Sequence, residues 1–232
     1  MLPAVSTVVT VMDREGPDAN TDVIVLVEPT RQRLLWIPRD VWCPGLGDRV
    51  NAAFKLGGHD ALIAALAELR VRADRSVCVS RPAAGEALRG LSVQVPVSRS
   101  LVLRYPLAPE QPIEDGEKLV RFDPPAEILQ GERIHQWIGA RFELDRPSSD
   151  LERIARQQVF VRALLEQGFD FSQVVASTSG PDAFDDLGAV EPTWQFSTLP
   201  RLRPATIDGK SVLIHHPWWR PSRRYLRGSS RR

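Results

Sequence analysis

The amino-acid sequence predicts an α/β fold, and two kinds of segment carry that prediction. Between residues 4 and 37 the chain has three apolar, β-branched segments of strand length, at 4–12, 23–27 and 33–37. Two later segments, 59–70 and 150–167, place apolar residues at helical spacing. Strands and helices therefore follow one another along a chain of 232 residues, and its 43% hydrophobic content is enough for an ordinary core.

The first three strands are predicted from alternation and from turn residues. Every second residue from Val5 to Val11 is β-branched, as in a half-buried strand. A second apolar run follows Asp22. The turn residues at 29–32 then lead into a third strand, so the second and third strands are expected to form an antiparallel hairpin.

The third strand leads into residues 34–58, the most informative stretch of the sequence. Pro38 cannot donate a hydrogen bond to a sheet, so the strand stops there and Arg39 is displayed on a loop. A short element is expected at 51–54. Glycines at 45, 47, 57 and 58 permit turns and close backbone approach before the next helix. Such a loop suits the binding of an anion.

The last helix, 150–167, carries a second candidate anion site. Asp150 is expected as its N-cap and Gly168 as its end. Arg153 and Gln157 are four residues apart and face the same way near the positive end of the helix dipole. The apolar stripe of this helix is expected to comprise Leu151, Ile154, Val161 and Leu165.

The segments between these elements predict less regular structure. Short elements are expected at 77–80 (strand), 83–88 (helical turn) and 91–95 (strand). Residues 97–128 are rich in proline and charge, and we expect a surface hairpin and loop there. Residues 169–210 are expected to be loop-rich and to precede a weak strand at 211–214.

Composition excludes several classes of function. Thirty basic residues against 29 acidic ones give a net charge of +1, which argues against a nucleic-acid partner. Cys43 and Cys78 have no zinc-ligand spacing around them and are expected to be free or buried thiols. No stretch reaches the length of a membrane span, and no signal peptide is visible, so the chain as given is expected to be soluble. A nucleophile elbow and a glycine-rich phosphate loop are also missing, which disfavours serine hydrolases and nucleotide-driven kinases.

Taken in order, short motifs of this sequence resemble the LytR-CpsA-Psr family, the glycopolymer transferases of bacterial cell walls. The resemblance runs from about Val5 to Gln167. The motifs are Asp13 after the first strand, Asp22 before the second, IPRD at 37–40, RVNAAFKLGG at 49–58, EALRGLSVQVP at 86–96, LQGE at 129–132, Arg141, and DLERIARQQ at 150–158. Each motif is weakly specific alone, and their shared order carries the resemblance.

The resemblance implies a fold, a reaction and partners. The fold is an α/β domain with a central mixed β-sheet flanked by helices, an α-β-α arrangement. The pocket would hold a polyprenyl-pyrophosphate-linked glycan beside Mg²⁺, and the glycan phosphate would move to a sugar hydroxyl of peptidoglycan. An N-terminal anchor, if one precedes this chain, would put it on the extracytoplasmic face of a bacterial membrane, and without an anchor we expect it in the cytoplasm.

The resemblance, together with the residue patterns above, gives the candidate site residues. The metal-binding candidates are Asp13 and Asp22. The catalytic candidates are Arg39, Arg141, Arg153, Asp40 and Asp150, in which the arginines grip phosphates and one of the two acids takes the acceptor proton. The substrate-binding candidates are Arg14, Asn51, Arg156 and Gln157.

The sequence departs from the family pattern at three places. Asn20 stands where an arginine is usual, Gly139 replaces the first member of an Arg-x-Arg pair, and Glu15 occupies another arginine position. Loss of one contact to a transferring phosphate costs about 2 to 4 kcal/mol. Two alternatives therefore stay open: a non-catalytic protein that binds prenyl pyrophosphate or wall polymer, and a soluble tailoring enzyme for a small prenylated or phosphorylated metabolite.

The expected domain organisation has three parts. Residues 1–170 form the catalytic domain, 171–219 form a C-terminal extension packed on it, and 220–232 form a basic tail. The tail suits peripheral contact with an anionic membrane, and the alternative is a frayed solubilising tail.

Overall fold

The computed structural model describes residues 5–13, 19–107, 113–144, 150–171 and 190–215. The described strands are β1 (Thr7–Met12), β2 (Thr21–Glu28), β3 (Arg33–Trp36), β4 (Trp42–Cys43), β5 (Asp48–Arg49), β6 (Arg75–Val79), β7 (Ser92–Pro96), β8 (Leu101–Pro106), β9 (Glu117–Phe122), β10 (Ala126–Gln130), β11 (Phe142–Glu143), β12 (Gln195–Thr198), β13 (Leu202–Ile207) and β14 (Lys210–His215). The described α-helices are α1 (Ala53–Glu68), α2 (Arg81–Ala87), α3 (Glu132–Gly139) and α4 (Asp150–Glu166).

A five-stranded mixed sheet forms the centre of the fold, in the order β12-β3-β2-β1-β6. The three N-terminal strands pair antiparallel, whereas β6 runs parallel to β1 and β12 runs parallel to β3. Strand β3 stops before Pro38, which has no N–H to donate. The residues after β3 therefore leave the sheet as a loop at its end.

Alternating side chains of the central sheet build a core on each face. On one face, Val8, Ile24 and Leu35 pack with Leu62 and Leu66 of α1. On the other face, strand residues pack with residues of α4 and of the segment before β12: Val27, Leu34, Trp36, Val77, Val79, Ile154 and Trp194. The mixed sheet with helices on both faces confirms the predicted fold class.

A second core lies beside the central sheet and shares helix α4. The β10-β7 pair and the three-stranded β11-β8-β9 sheet enclose it together with α3. From α4 it receives Phe160, Ala163 and Leu164, whereas Ile154 of the same helix belongs to the central sheet. Helix α4 thus packs against both cores, and this packing fixes the position of its N-terminal turn.

The structure confirms the predicted N-terminal strands and both predicted long helices, and it corrects three details. Helix α1 joins the short element expected at 51–54 to the helix expected at 59–70, across a break at Gly57 and Gly58, where Gly58 has φ +62°. The apolar stripe expected on α4 is wrong at Leu151, which is 39% exposed. Residues 97–128 contain the expected hairpin, β8–β9, and in addition the start of β10, which was not expected.

The C-terminal part is also more regular than expected. Within the range expected to be loop-rich, the structure has β12 and β13. The weak strand predicted at 211–214 is confirmed as part of β14, which pairs with β13. The basic tail predicted at 220–232 lies outside the described residues.

Two further predictions concern the cysteines and the membrane. Both cysteines, Cys43 and Cys78, are free, as predicted. None of the helices in the described ranges is long and apolar enough to span a bilayer.

Candidate functional site

An irregularity between β1 and β2 creates the centre of the candidate site. Val11 pairs with Val23, but the next residue, Met12, pairs with Thr21. Asp22 is therefore an extra residue on β2 without a partner on β1, which is a β-bulge. Bulges bend a strand and redirect a side chain, so the bulge turns Asp22 out of the regular alternation.

Three guanidinium groups converge on one oxygen of Asp22. Its Oδ1 accepts hydrogen bonds from Arg39 Nη1 at 2.5 Å, Arg153 Nη1 at 2.9 Å and Arg141 Nη2 at 3.3 Å. The three arginines are 17, 131 and 119 residues away from Asp22 in the sequence, in the order Arg39, Arg153 and Arg141. The structure thus brings together the three arginines that the sequence predicted.

Each arginine reaches Asp22 from a different structural element. Arg39 follows Pro38 at the end of β3, and Arg141 lies in the link between α3 and β11. Arg153 lies in the first turn of α4, where its Nη2 also bonds the main-chain oxygen of Asp22 at 3.2 Å and the Asp150 carboxylate at 2.5 Å. Arg153 therefore holds both the side chain and the main chain of Asp22.

The exposure of the arginine side chains shows where the cluster opens. Arg153 is 1% exposed, Arg39 is 11% exposed and Arg141 is 45% exposed. The buried Nε atoms of Arg39 and Arg153 have no hydrogen-bond partner among the described residues. The cluster is therefore open to solvent, and to an anion, on the side of Arg141.

The charges of the cluster favour an anionic ligand. Three guanidinium groups less the two carboxylates of Asp22 and Asp150 leave one positive charge in excess. Burial would raise the pKa of Asp22, but Arg153, Arg39 and Arg141 outweigh it and hold that pKa below its usual range. Burial and the neighbouring Arg39 lower the pKa of Arg141. For Arg153, burial is outweighed by Asp22 and Asp150, so its pKa is raised.

Two further predicted residues, Asp40 and Asn51, lie in or contact the loop between β3 and β4, residues 37–41, here called the Arg39 loop. The Asp40 carboxylate forms an ion pair with Arg49 at 3.2 Å and not with an arginine of the cluster. Asn51 uses its main chain, since its N–H donates to the Arg39 oxygen at 3.2 Å and its oxygen accepts from Thr21 Oγ1 at 3.4 Å. Asn51 therefore ties the loop to the start of β2.

Helix α4 carries the two other substrate-binding candidates, Arg156 and Gln157, and both point at main-chain oxygens. Arg156 donates to the oxygens of Trp137 and Ala140, and Gln157 donates to the oxygen of Ile138. The structure therefore does not bring these two side chains to Asp22. Arg14 lies outside the described residues.

Asp13 and Asp22, at the paired ends of β1 and β2, are the two carboxylates that would hold a magnesium ion. Asp13 follows β1 and accepts from the Asn20 N–H at 2.9 Å, next to the start of β2. The three arginines bond the Asp22 carboxylate through Oδ1, so Oδ2 has capacity for a cation. The described ranges contain no group of three or more His, Cys, Asp or Glu residues that could hold a metal. Mg²⁺ commonly uses one or two carboxylates together with phosphate oxygens and water, and two aspartates meet that need.

The sequence did not predict that the C-terminal hairpin, β13–β14, bonds to the Arg39 loop. The Leu213 N–H of β14 donates to the Asp40 oxygen at 2.9 Å, and Lys210 donates to Asp48 at 2.9 Å. Trp42 packs with hairpin residues Ile207 and Val212. The alternation of apolar residues in 205–214 was the signal that could have indicated this hairpin.

Comparisons with known proteins agree with this fold. The model of the LytR_cpsA_psr family matches residues 8–193. A solved structure of TagT bound to LI-WTA is 20% identical, with 90% of this chain and 83% of that chain covered and a TM-score of 0.63. A TagT structure with bound octaprenyl pyrophosphate lipid is 18% identical, with coverage of 90% and 82% and a TM-score of 0.58.

A third solved structure, TagU from B. subtilis, is 17% identical, with 90% of this chain and 89% of that chain covered and a TM-score of 0.56. A search of curated protein sequences gives no match. The structural matches establish the shared fold, and the family model covers well over half of the chain. The chain therefore belongs to the LytR-CpsA-Psr family.

Proposed function

We propose that this protein is a cell-wall glycopolymer phosphotransferase that moves a glycan phosphate from a polyprenyl-pyrophosphate carrier to a sugar hydroxyl of peptidoglycan. The observation that carries the proposal is the convergence of Arg39, Arg141 and Arg153 on a single carboxylate oxygen. Donors that surround one anionic oxygen at hydrogen-bond distance are suited to the non-bridging oxygens of a diphosphate.

The relatives support the class of ligand. One TagT structure has LI-WTA bound, and another has octaprenyl pyrophosphate bound. These ligands belong to TagT, and we extend to this chain only the chemistry that suits the arginine cluster, that of a polyprenyl diphosphate.

The reaction that we propose is a displacement at phosphorus. The oxygen of the acceptor hydroxyl attacks the phosphorus that carries the glycan, and the bond from that phosphorus to the bridging oxygen breaks. Polyprenyl monophosphate leaves, and the glycan is joined to the acceptor by a phosphodiester. The arginine cluster contributes by positioning the diphosphate and by offsetting the charge on its oxygens.

Asp150 is the better of the two candidates for the group that accepts the hydroxyl proton. Its side chain is 7% exposed, its Oδ1 binds Arg153, and its Oδ2 is buried without a hydrogen-bond partner among the described residues. Asp40 pairs with Arg49, which is not part of the arginine cluster, whereas Asp150 pairs with Arg153 of the cluster. An unpartnered carboxylate oxygen beside the arginine cluster can accept a proton.

Mg²⁺ completes the proposal. Asp13 and Asp22 would hold the ion, which would supply further neutralisation of charge on the diphosphate. The acceptor and the lipid carrier put the proposed reaction on the extracytoplasmic side of a bacterial membrane.

A transfer assay tests the proposed function. The protein is incubated with a polyprenyl-pyrophosphate-linked oligosaccharide, Mg²⁺ and a peptidoglycan fragment, and released polyprenyl monophosphate and glycan phosphodiester are both measured. Arg39→Ala should slow transfer by about 10²- to 10³-fold, the usual cost of removing one group that stabilises charge in the transition state.

The matched control is Arg33→Ala. Arg33 pairs with Glu28 at the far end of β2 and β3, roughly 20 Å along the strand from Asp22. Its removal should leave transfer unchanged. Binding of the carrier without any transfer by the wild-type protein would contradict the enzyme and favour the non-catalytic binding protein.

A further inference from the structure

The C-terminal end of helix α3 has main-chain oxygens that its own helix cannot satisfy. The helix ends at Gly139, and Ala140 leaves it in an extended conformation with φ −62° and ψ 134°. The last four carbonyl groups of any α-helix lack intrahelical partners and need donors from elsewhere. Ala140 directly precedes Arg141, so these donors decide how the chain enters the proposed pyrophosphate site.

Two side chains of helix α4 supply those donors. Arg156 Nε donates to the Trp137 oxygen at 2.9 Å, and Arg156 Nη2 donates to the Ala140 oxygen. Gln157 Nε2 donates to the Ile138 oxygen at 3.1 Å. Trp137 returns a bond, since its Nε1 donates to the Arg156 oxygen at 3.0 Å. The two helices are thus joined by bonds in both directions.

We infer that Arg156 is a positioning residue, which holds Arg141 against Asp22 by fixing the main chain at Ala140; this inference rests on the function proposed for that site. Arg156 is buried, and its described hydrogen bonds go to main-chain oxygens. Arg141 is the most exposed of the three arginines, and its contact with Asp22 is the longest of the three, at 3.3 Å. A long, exposed side chain keeps one geometry only when its main chain is held.

The sequence around Arg141 increases its dependence on Arg156. Glycine and alanine occupy the two positions before Arg141. Glycine has more main-chain freedom than any other residue, so the segment is intrinsically easy to reorient. A Cβ added at Gly139 would meet Tyr105 only at 4.0 Å, so close packing does not restrain this point either. The bonds from Arg156 and Gln157 hold this segment together with the bond from the Ala140 N–H to the Gln136 oxygen at 3.2 Å and the pairing of Phe142 with Arg104 of β8.

A direct effect of the Arg156 charge on the ligand must be separated from positioning. A positive charge near the site attracts a diphosphate whether or not Arg141 is present. Positioning, in contrast, acts only through Arg141 and disappears when the Arg141 side chain is removed. A double-mutant cycle with Arg156→Met and Arg141→Ala therefore distinguishes the two effects.

The experiment measures the affinity of geranyl pyrophosphate for the wild type, the two single variants and the double variant. Arg156→Met should weaken binding about five- to tenfold in the wild-type background and less than about twofold in the Arg141→Ala background, as expected for residues coupled in one network. Arg156→Lys keeps the charge but not the paired hydrogen bonds to the Trp137 and Ala140 oxygens, so it should restore little of the affinity. Equal weakening in both backgrounds would overturn the inference.

A matched control and a ligand-free measurement keep the inference separate from the proposed function. Arg162 lies on the same helix and donates to a main-chain oxygen, that of Pro192, at 2.7 Å, so Arg162→Met should leave affinity unchanged. In NMR spectra without ligand, the Nε–H signal of Arg141, assigned from its loss in Arg141→Ala, should shift in Arg156→Met and not in Arg162→Met. An unshifted signal would overturn the positioning of Arg141 by Arg156. A wild type that does not bind geranyl pyrophosphate would contradict the proposed function but not the positioning.

Discussion

Substitution of Arg153 tests whether the arginine cluster is part of the fold as well as of the site. Its guanidinium is almost fully buried and bonds the Asp22 carboxylate, the Asp22 main-chain oxygen and the Asp150 carboxylate. Arg153→Met keeps the length of the side chain but leaves the Asp150 carboxylate buried without its cation. Removal of one partner from a buried ion pair costs about 3 to 5 kcal/mol. We expect a loss of that size in the free energy of unfolding.

Urea unfolding, followed by circular dichroism, measures this loss. Arg33→Met is the matched comparison, because its partner Glu28 keeps a second cation, Arg31 at 2.8 Å, and the Arg33 side chain is 26% exposed, so its loss should cost about 1 kcal/mol or less. The double variant Asp150→Asn/Arg153→Met should lose less stability than Arg153→Met, since no isolated buried carboxylate remains. A loss below about 1 kcal/mol in Arg153→Met would refute the reasoning.

Three other predictions address acid stability, the metal and the C-terminal hairpin. The folded-state pKa of Asp22 lies below that of an unfolded aspartate, so its ionised form stabilises the fold above about pH 4 and this contribution is lost as the pH falls towards the lower folded pKa. Asp22→Asn should therefore flatten the dependence of urea stability on pH in that range, and an unchanged slope would contradict the prediction. Chelation of Mg²⁺ should abolish transfer, and Asp13→Asn should raise the Mg²⁺ concentration needed for half-maximal transfer; a rate indifferent to chelator would exclude the proposed metal. Val212→Ala should lower the free energy of unfolding by about 2 kcal/mol, because Val212 packs against Trp42 and Ile207; an unfolding curve equal to that of the wild type would show that the hairpin is not held there.

The fold was predictable wherever one local pattern decided the structure. The strand alternation from Val5 to Val11 and the stop at Pro38 are local signals, and the structure follows both. The prediction was poorer where tertiary contacts override composition. Leu151 is exposed although it fits an apolar stripe, because the buried side of α4 is shared between two cores and includes Arg153 and Arg156. The spacing of apolar residues cannot indicate a buried arginine, because arginine counts as polar in that pattern.

The site was predictable as a set of residues but not as a geometry. The order of motifs singled out Arg39, Arg141 and Arg153, which the structure brings together. The bulge that turns Asp22 towards them arises from the register of β1 against β2, and a register is a long-range property. For the same reason the sequence could not indicate that Arg156 bonds main-chain oxygens of α3.

The central claim is that the arginine cluster binds a polyprenyl diphosphate, and calorimetric titration with geranyl pyrophosphate tests it most directly. The wild type and Arg33→Ala should bind with equal affinity, because Arg33 lies at the opposite end of β3 from the cluster. Arg39→Ala should bind about tenfold more weakly or worse, since it lacks one charge-assisted hydrogen bond to the ligand. Equal affinity of Arg39→Ala and the wild type would contradict the claim.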